Sequence, residues 1–238
     1  MPNRFESLSI PSDVESKITE NILIIKKWNW DYSEALVFQK SAQEFIQKNR
    51  DLKIYIFCNH PHCFTLGRGN ERGQDELVDF DEQIESLMSF DLHRIHRGGG
   101  VTFHYPGQWI FYPIIALKES LSLEDLSCWL LKSVKQVLSE SFGIQDVITA
   151  TKLMGVWRKK LKLASIGIGV SRFVTEHGLA LNLDYDKKMF DELLKINPCG
   201  MSPQTYISAD KCLEESQIKP ENFIEQFQLE FEKTILNL

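Results

Sequence analysis

Strand-like and helix-like stretches alternate along this chain, and the hydrophobic period changes at each boundary. Residues 22–27, 53–58 and 64–66 are short apolar runs beside turn-forming residues, and each run predicts a β-strand. Two further apolar runs begin at Lys162 and Val174. Because strand-like runs dominate the middle of the chain, we predict an α+β fold with a mixed, mostly antiparallel central sheet and flanking helices.

Apolar residues recur at helical spacing in three other stretches. Asp31 and Ser122 each stand three residues before an acidic residue, a pattern that begins helices by capping free N–H groups. Gly143 predicts the end of the middle helix and Pro220 the start of the last one. The polar segment from Gly69 to Gln83 predicts a loop that orders on binding. The predicted buried stripes are Ala35, Phe38, Ala42 and Phe45, then Leu126, Leu130, Val134 and Val137, and finally Phe223, Phe227 and Phe231.

The composition argues against several classes of protein. A net charge of -6 over 238 residues disfavours a general nucleic-acid-binding protein. Five cysteines without CxxC spacing disfavour a disulfide framework and favour a reducing compartment. The N-terminal residues lack a targeting pattern, and no apolar run reaches the ~18 residues of a membrane span. We therefore expect a cytoplasmic protein that binds neither nucleic acid nor membrane.

The first chemical pattern pairs a lysine with a cysteine. Lys162 begins an apolar run, and Cys199 lies further along between a proline and a glycine. The two meet only if the chain folds back, and the break in alternation at Gly169, Ser171 and Arg172 predicts that turn. Strand alternation places the lysine ammonium at the edge of an apolar face, where a cation lowers the pKa of a nearby thiol and activates it. Taken singly, such a cysteine is commonly a small filler, and a strand lysine commonly extends to water.

The second pattern is RGGGVTFHYPGQWIFYPII, from Arg97 to Ile115. Three successive glycines let the backbone approach a ligand closely, and Arg97 adds a positive charge to that concavity. The spacing fits neither the phosphate loop nor the dinucleotide loop, so it does not predict a nucleotide. A glycine-rich bulge at a sheet corner explains the same residues. His104 is either a second polar group of the site or a structural histidine.

The third pattern, CNHPHCFTLGR, runs from Cys58 to Arg68 and suggests a metal site. Its two cysteines and two histidines are too closely spaced for the usual pairs of zinc ligands, and no second cluster follows. The pattern therefore favours the end of a strand and a turn. We expect no bound metal.

Together the three stretches resemble a known family. HP.CFTLGR, RGGGVTFHYPGQ, KLASIG, HGLALN and PCG occur in the order and approximate spacing of the lipoyl(octanoyl) transferases of lipoate biosynthesis, over roughly residues 20–205. The resemblance implies a fold like that of the biotin and lipoate protein ligases, in a single octanoyltransferase catalytic domain over residues 1–238. It implies no cofactor.

The resemblance also implies a reaction and its partners. An octanoyl or lipoyl group passes from acyl carrier protein, through a cysteine thioester, to a lysine of a lipoyl domain, as the first step of protein lipoylation. The donor is octanoyl-acyl carrier protein. The acceptor is a lipoyl domain of a 2-oxoacid dehydrogenase or the glycine cleavage H protein.

Carried over by motif, Cys199 is the acyl-thioester nucleophile and Lys162 lowers its pKa. The family pattern departs at Tyr105, where a glycine is common, and at Met201 to Ala209, which does not continue in the usual way after the cysteine turn. The implied substrate-binding residues are Arg97, Gly98, Gly99, Gly100, Val101, Thr102, Phe103, His104, Ser165, Ile166, Gly167, Gly178, Leu179 and Ala180.

Two alternatives remain open at this point. An ATP-dependent lipoate-protein ligase of the same fold shares the glycine-rich stretch and the lysine, but it forms an acyl-adenylate and does not require a cysteine nucleophile. A noncatalytic binding module tolerates both residues without needing them in contact. Cys199 in its PCG turn favours the transferase.

Overall fold

The computed structural model describes residues 4–68, 85–150, 154–194, 205–213 and 223–235. The strands in chain order are β1 (Glu15–Thr19), β2 (Ile22–Lys27), β3 (Lys53–Cys58), β4 (Cys63–Leu66), β5 (Leu92–Arg94), β6 (Val101–His104), β7 (Gln108–Ile115), β8 (Val147–Ala150), β9 (Gly155–Arg158), β10 (Leu161–Ser171) and β11 (Val174–Asn182). The helices are α1 (Tyr32–Lys48), α2 (Leu123–Gln136), α3 (Lys187–Leu193), α4 (Ala209–Leu213) and α5 (Phe223–Ile235), and a π-helical turn (Val137–Ser141) extends α2.

Eight strands form the main sheet in the order β1-β2-β3-β7-β11-β10-β9-β8. Strands β2 and β3 pair parallel because α1 carries the chain across between them. The other pairings within this sheet are antiparallel. The prediction of a mixed, mostly antiparallel sheet with flanking helices is therefore confirmed.

A smaller sheet of three strands has the order β5-β4-β6. Strand β4 pairs parallel with β5 and antiparallel with β6. Because β6 directly follows the three glycines, this sheet positions the glycine-rich stretch. The backbone of that stretch reaches the main sheet where the Gly98 N–H donates to the Ile168 carbonyl oxygen of β10.

The predicted helix starts and stripes are confirmed wherever the structure describes them. Asp31 caps α1 by accepting a hydrogen bond from the Glu34 backbone N–H at 3.1 Å. Ser122 and Asp125 form a reciprocal capping box at the start of α2. Past the π-helical turn, Gly143 has a φ of 65°, the left-handed conformation that ends helices. The stripes of α1 and α2 are buried, as are Phe227 and Phe231 of α5.

Side-chain alternation along the central strands builds a core on each face of the main sheet. In β3, Ile54 and Ile56 pack with α1, whereas Tyr55 and Phe57 pack on the opposite face with α2 and α5. A helical layer thus covers each face, because both faces of the central strands are apolar.

Strands β10 and β11 form the hairpin that folds the chain back behind Lys162. The turn consists of Arg172 and Phe173, with φ values of 49° and 62°, as in two-residue hairpin turns that need a positive φ at both positions. Arg172 belongs to the turn that the sequence predicts. Gly169 and Ser171 instead lie within β10, opposite Glu176 and Val174 of β11, so the sequence places the break too early.

A β-bulge between Lys162 and Ala164 interrupts the alternation of β10. Leu163 and Ala164 consequently both join the same buried cluster. The sequence predicts unbroken alternation from Lys162 to Val170. A bulge adds one residue to one strand and depends on the partner strand β9, so the pattern of β10 alone does not predict it.

Three predictions about the fold fall outside what the structure describes: the loop from Gly69 to Gln83, the start of the last helix at Pro220 and the burial of Phe223. No helix among the described residues is long and apolar enough to cross a membrane. A single catalytic domain over residues 1–238 stays a prediction.

Candidate active site

A cavity of about 690 Å³ lies between the smaller sheet and the β10–β11 hairpin. Residues from the first turns of α1 and α2, from α3 and from Tyr206 also line it. The residues implied by the family resemblance all line this cavity: 97–104, 165–167, 178–180 and Lys162. Their role in binding stays a prediction, but three separate stretches of sequence do meet here. Cys199 lies outside the described residues.

Lys162 is buried in the wall of this cavity, with 5% of its surface exposed. Its ammonium lies 5.4 Å from the centre of the Trp157 ring, within the range of a cation–π contact. A Cβ on Gly155 would stand 2.7 Å from Lys162 Cε, so glycine there leaves room for the lysine chain. The sequence predicts an ammonium at the edge of an apolar face. The structure holds it inside, where low dielectric strengthens its effect on any nearby charge.

The described residues on either side of Cys199 both reach the cavity. Leu193 precedes Cys199 by six positions (199 − 193) and Tyr206 follows it by seven (206 − 199), and both side chains line the cavity. Tyr206 also forms a parallel bridge with Lys162, and the Ile207 N–H donates to the Lys162 carbonyl oxygen at 3.1 Å. Tyr206 and Ile207 are therefore attached to the strand that carries the lysine.

The segment that departs from the family pattern after Cys199 is described from residue 205 onward, and hydrogen bonds hold residues 207 and 210 in place. Asn182 Nδ2 donates to the Ile207 carbonyl oxygen at 3.3 Å, and the Asp210 N–H donates to the Leu183 carbonyl oxygen at 2.9 Å. The Asp210 carboxylate in turn accepts from the Tyr185 N–H at 3.1 Å. These bonds connect the segment to the end of β11.

Arg97 organises the glycine-rich backbone. Its guanidinium donates to the Thr65 carbonyl oxygen and hydroxyl at 3.0 and 2.8 Å, and to the Gly98 carbonyl oxygen at 2.9 Å. A Cβ on Gly67 would collide with the Gly99 carbonyl oxygen, so this backbone packs closely on β4. The sequence assigns Arg97 a charge directed at a ligand. In the structure these guanidinium N–H groups instead donate hydrogen bonds to the protein itself.

His104 is buried beside two amide side chains, Gln108 and Asn182, and all three line the cavity. His104 Nδ1 lies 2.9 Å from Gln108 Oε1, and Gln108 Nε2 donates to Asn182 Oδ1 at 3.0 Å. Burial, with His60 and Arg97 nearby, holds the pKa of His104 well below its usual value. The ring is therefore neutral at pH 7.

His60, whose ring contacts that of His104, belongs to a second buried network. Its Nδ1 donates to the Trp30 carbonyl oxygen at 2.7 Å, so its Nε2 accepts from the Tyr112 hydroxyl at 3.0 Å. Burial lowers the pKa of His60 to about 4. His60 belongs to the stretch considered for metal binding, and its ring nitrogens are already engaged.

The two cysteines of that stretch end β3 and begin β4, as the strand-end interpretation predicts. Burial raises the pKa of the Cys63 thiol to about 12 and that of Cys58 further still. Within the part of the chain that the structure describes, no three His, Cys, Asp or Glu side chains are grouped to hold a metal ion. That the protein carries no metal stays a prediction.

Tyr105, the departure within the glycine-rich stretch, packs away from the cavity. It is fully buried against Phe103, and its hydroxyl donates to the Asp184 carbonyl oxygen at 3.1 Å. This bond connects the turn before β7 to the segment that leads into α3. Tyr105 thus supports the cavity from outside its lining.

The sequence of this chain is similar to those of known proteins. A sequence profile of the lipoyl protein ligase A/B catalytic domain matches residues 31–232. Octanoyltransferase of Nostoc sp. is 35% identical over 186 residues, which cover 76% of this chain and 78% of that protein. Octanoyltransferase LIP2p2, chloroplastic, of Arabidopsis thaliana is 36% identical over 75% of this chain. The chain belongs to the octanoyltransferases of the lipoyl protein ligase A/B family.

The chain spans 60% of the length of the Arabidopsis relative. Among solved structures, lipoate-protein ligase A bound with ATP superposes with a TM-score of 0.63 at 12% identity, covering 92% of this chain and 86% of that one. Biotin protein ligase from Leishmania major in complex with biotinyl-5-AMP gives a TM-score of 0.50 at 11% identity, covering 92% and 80%. At this identity the likeness shows the fold alone, and it confirms the predicted biotin and lipoate protein ligase fold.

Sequence reasoning missed several residues of this octanoyltransferase cavity. Gln108, His177 and Asn182 lie within the quoted motifs YPGQ and HGLALN but were not assigned to the site. His177 is buried, its Nε2 has no hydrogen-bond partner among the described residues, and burial lowers its pKa to about 3. Their position as polar residues inside apolar runs could have indicated a role in the site, because buried polar groups require a partner or a function.

The close approach of β7 explains why position 178 is a glycine, and a substitution there tests this explanation. A Cβ there would collide with the Phe111 carbonyl oxygen of β7, so Gly178→Ala should lower the free energy of unfolding by about 1–3 kcal/mol. Gly98 has no atom within 4 Å of a Cβ, and Gly98→Ala should change it by less than about 0.5 kcal/mol. Urea denaturation of both variants measures the difference. Equal stabilities would contradict the close approach of β7 and β11.

Proposed function

We propose that this acyltransferase moves an octanoyl or lipoyl group from acyl carrier protein to a lysine of a lipoyl domain, through a thioester on Cys199. The observation that carries the proposal is the cavity. Lys162 is buried in its wall, and Leu193 and Tyr206, which precede and follow Cys199 in the sequence, line it too. A buried cation beside a cysteine-containing segment is the arrangement that yields a reactive thiolate.

In the first step the Cys199 thiolate attacks the carbonyl carbon of the donor thioester. A carbon–sulfur bond forms to Cys199, the bond to the carrier sulfur breaks, and the carrier leaves as a thiolate that takes up a proton. One thioester replaces another, so the exchange costs little free energy. The ammonium of Lys162 favours the ionised form of the attacking thiol.

In the second step the acceptor amine attacks the same carbonyl carbon. A carbon–nitrogen bond forms, the bond to Cys199 breaks, and the proton lost by the amine passes through Lys162 to the departing sulfur. Backbone N–H groups stabilise the oxyanion that develops. The N–H of Gly98 already donates to the Ile168 carbonyl oxygen, so this task falls to other N–H groups of the site.

The lining suits a medium-length acyl chain. Apolar side chains from several elements face the cavity: Val101, Phe103, Met154, Ile166, Met189 and Leu193. The seven carbons beyond an octanoyl carbonyl gain on the order of 5 kcal/mol at ~0.8 kcal/mol per buried CH₂. Loss of two carbons costs about 1.6 kcal/mol, roughly fifteenfold, so chain selectivity is graded.

The partners follow from the proposed reaction. The donor is octanoyl-acyl carrier protein, and the acceptors are lipoyl domains of 2-oxoacid dehydrogenases or the glycine cleavage H protein. We further propose that residues 1–238 act as one catalytic domain, in the cytoplasm and without a cofactor. An ATP-dependent ligase remains the second candidate because a lipoate-protein ligase shares the fold.

Incubation with octanoyl-acyl carrier protein in the absence of ATP tests the proposal. Intact-mass analysis should show one added octanoyl group, and peptide mapping should locate it on Cys199. A hexanoyl donor should acylate the protein roughly fifteenfold less efficiently. Acylation that requires ATP would support the ligase. Acylation that maps to another residue would overturn the assignment of Cys199 as the nucleophile.

A further inference from the structure

The buried network around His104 fixes the orientation of two amide side chains. Asn182 Nδ2 donates to the Ile207 carbonyl oxygen, so Asn182 Oδ1 is the atom that faces Gln108. Gln108 Nε2 donates to this oxygen at 3.0 Å and to the Phe103 carbonyl oxygen at 3.1 Å. Since carbonyl oxygens only accept, neither amide can be turned over without losing a bond.

The same network fixes the tautomer of His104. Because Gln108 Nε2 makes those two bonds, its Oε1 is the atom 2.9 Å from His104 Nδ1. An oxygen acceptor requires a hydrogen on Nδ1, and a neutral imidazole carries only one. His104 Nε2 is therefore a bare hydrogen-bond acceptor.

The His104 ring lines the cavity and is held there on its sides. It stacks on Tyr32 with 5.6 Å between ring centres, and the His60 ring meets it edge-on at 5.6 Å. Within the described residues, Gln108 is its hydrogen-bond partner, and that bond uses Nδ1. His104 Nε2 takes no part in that bond, so it can accept a hydrogen bond from a donor that enters the cavity.

The groups that enter the cavity during the proposed reaction differ in what they can offer. The acyl chain has no polar hydrogen, and the carbonyl oxygen and thioester sulfur only accept. A thiol is a weak donor, whereas the acceptor amine has strong N–H donors. Arg97 lines the same cavity and disfavours a second positive charge, so the amine is bound neutral.

We infer that His104 Nε2 accepts a hydrogen bond from the acceptor lysine amine and turns the nitrogen lone pair toward the thioester carbonyl carbon. This role rests on the proposed function. Gln108 and Asn182 are then positioning residues, because they keep the hydrogen on Nδ1 and leave Nε2 free to accept. The inferred recognition is of a neutral primary amine.

Two variants of His104 separate its two nitrogens. An asparagine amide can reproduce the Nδ1 donor to Gln108 but reaches no further, whereas a glutamine places a carbonyl oxygen near the position of Nε2. Starting from isolated octanoyl-enzyme, His104→Asn should transfer to a lipoyl domain roughly tenfold more slowly, the worth of one hydrogen bond. His104→Gln should recover most of that rate. The octanoyl-enzyme of each variant is isolated before transfer is measured, so a change in its acylation by the donor does not enter the comparison.

The ¹⁵N chemical shifts of the His104 ring report which ring nitrogen carries the hydrogen. A purely structural role of His104 does not require one particular tautomer, so these shifts distinguish the two roles. The wild type should show a protonated Nδ1 and an unprotonated Nε2 at pH 7. Gln108→Met removes the acceptor and should yield a mixture of tautomers, with slower transfer from its isolated octanoyl-enzyme.

An Nε2–H tautomer in the wild type, or full transfer by His104→Asn from a normal octanoyl-enzyme, would overturn this inference alone. Equal rates for His104→Asn and His104→Gln would overturn it as well. Failure of the wild type to form an octanoyl-enzyme would overturn the proposed function, and with it this role.

Discussion

Cys199→Ala should abolish the octanoyl adduct and lower transfer to a lipoyl domain by at least about a thousandfold, while the protein remains folded. The reason is covalent: without a thiol there is no thioester, and the acceptor amine would have to attack the carrier thioester directly. The measurement is intact mass after incubation with octanoyl-acyl carrier protein, followed by single-turnover transfer. A folded variant that still carries one octanoyl group would refute the assignment of Cys199.

Cys128 supplies the matched control for this experiment. It is half-buried in α2 and lines the same cavity as Lys162, so it is the alternative nucleophile among the described cysteines. Cys128→Ala should keep both the adduct and the transfer rate. If the adduct is lost in Cys128→Ala and kept in Cys199→Ala, the nucleophile lies on α2.

Cys58 and Cys63 are poor candidates for the nucleophile on physical grounds. Both thiols are buried, and burial raises their pKa values, so little thiolate exists at neutral pH. Both also lie outside the cavity lining. Their place at a strand end and a strand start accounts for them as packing residues.

The sequence was sufficient for the parts of the fold that depend on local pattern. The stripe of α1, its cap at Asp31 and the capping box at Ser122 follow from spacing of three or four residues, which a single stretch contains. The family motifs also led to residues 97–104, 165–167 and 178–180 and to Lys162, all of which line one cavity. Each motif is local, and only their order along the chain joined them.

The remaining features depend on partners that are distant in sequence. Lys162 is buried because Gly155 and Trp157 of the neighbouring strand make room for it and cover it. Gln108 pairs with Asn182 across antiparallel strands β7 and β11, and no periodicity within either strand marks the pair. The pairing register of two strands decides which polar side chains meet. When the strands are distant in sequence, the residue pattern of one strand does not predict that register.

Lys162→Ala should raise the apparent pKa of the Cys199 thiol and strongly reduce turnover. An opposite charge favours the ionised thiol, so wild-type Cys199 should titrate below the ordinary ~8.5, and removal of the cation should move it upward. A tenfold change in the acid dissociation constant of the thiol corresponds to about 1.4 kcal/mol of interaction between thiolate and ammonium. Alkylation by iodoacetamide as a function of pH, mapped to Cys199, measures the value.

The sign follows from the burial of Lys162. An isolated buried ammonium is unfavourable, so if the Cys199 thiolate lies beside Lys162, as proposed, each charge stabilises the other. We then expect the thiolate to be favoured in the folded protein at a pH where a free cysteine is mostly protonated. Below the lowered pKa the thiol regains its proton and acylation slows.

Lys162→Arg separates charge from proton transfer. A guanidinium keeps the positive charge but cannot release a proton near neutral pH, so this variant should retain most of the low thiol pKa while losing turnover to the acceptor amine. Because Lys162 is buried and its chain packs closely on Gly155, circular dichroism must first verify that the larger side chain is tolerated. If Cys199 titrates identically in the wild type and in Lys162→Ala, the charge pairing is wrong, and the lysine acts by positioning the substrate or by supporting the fold.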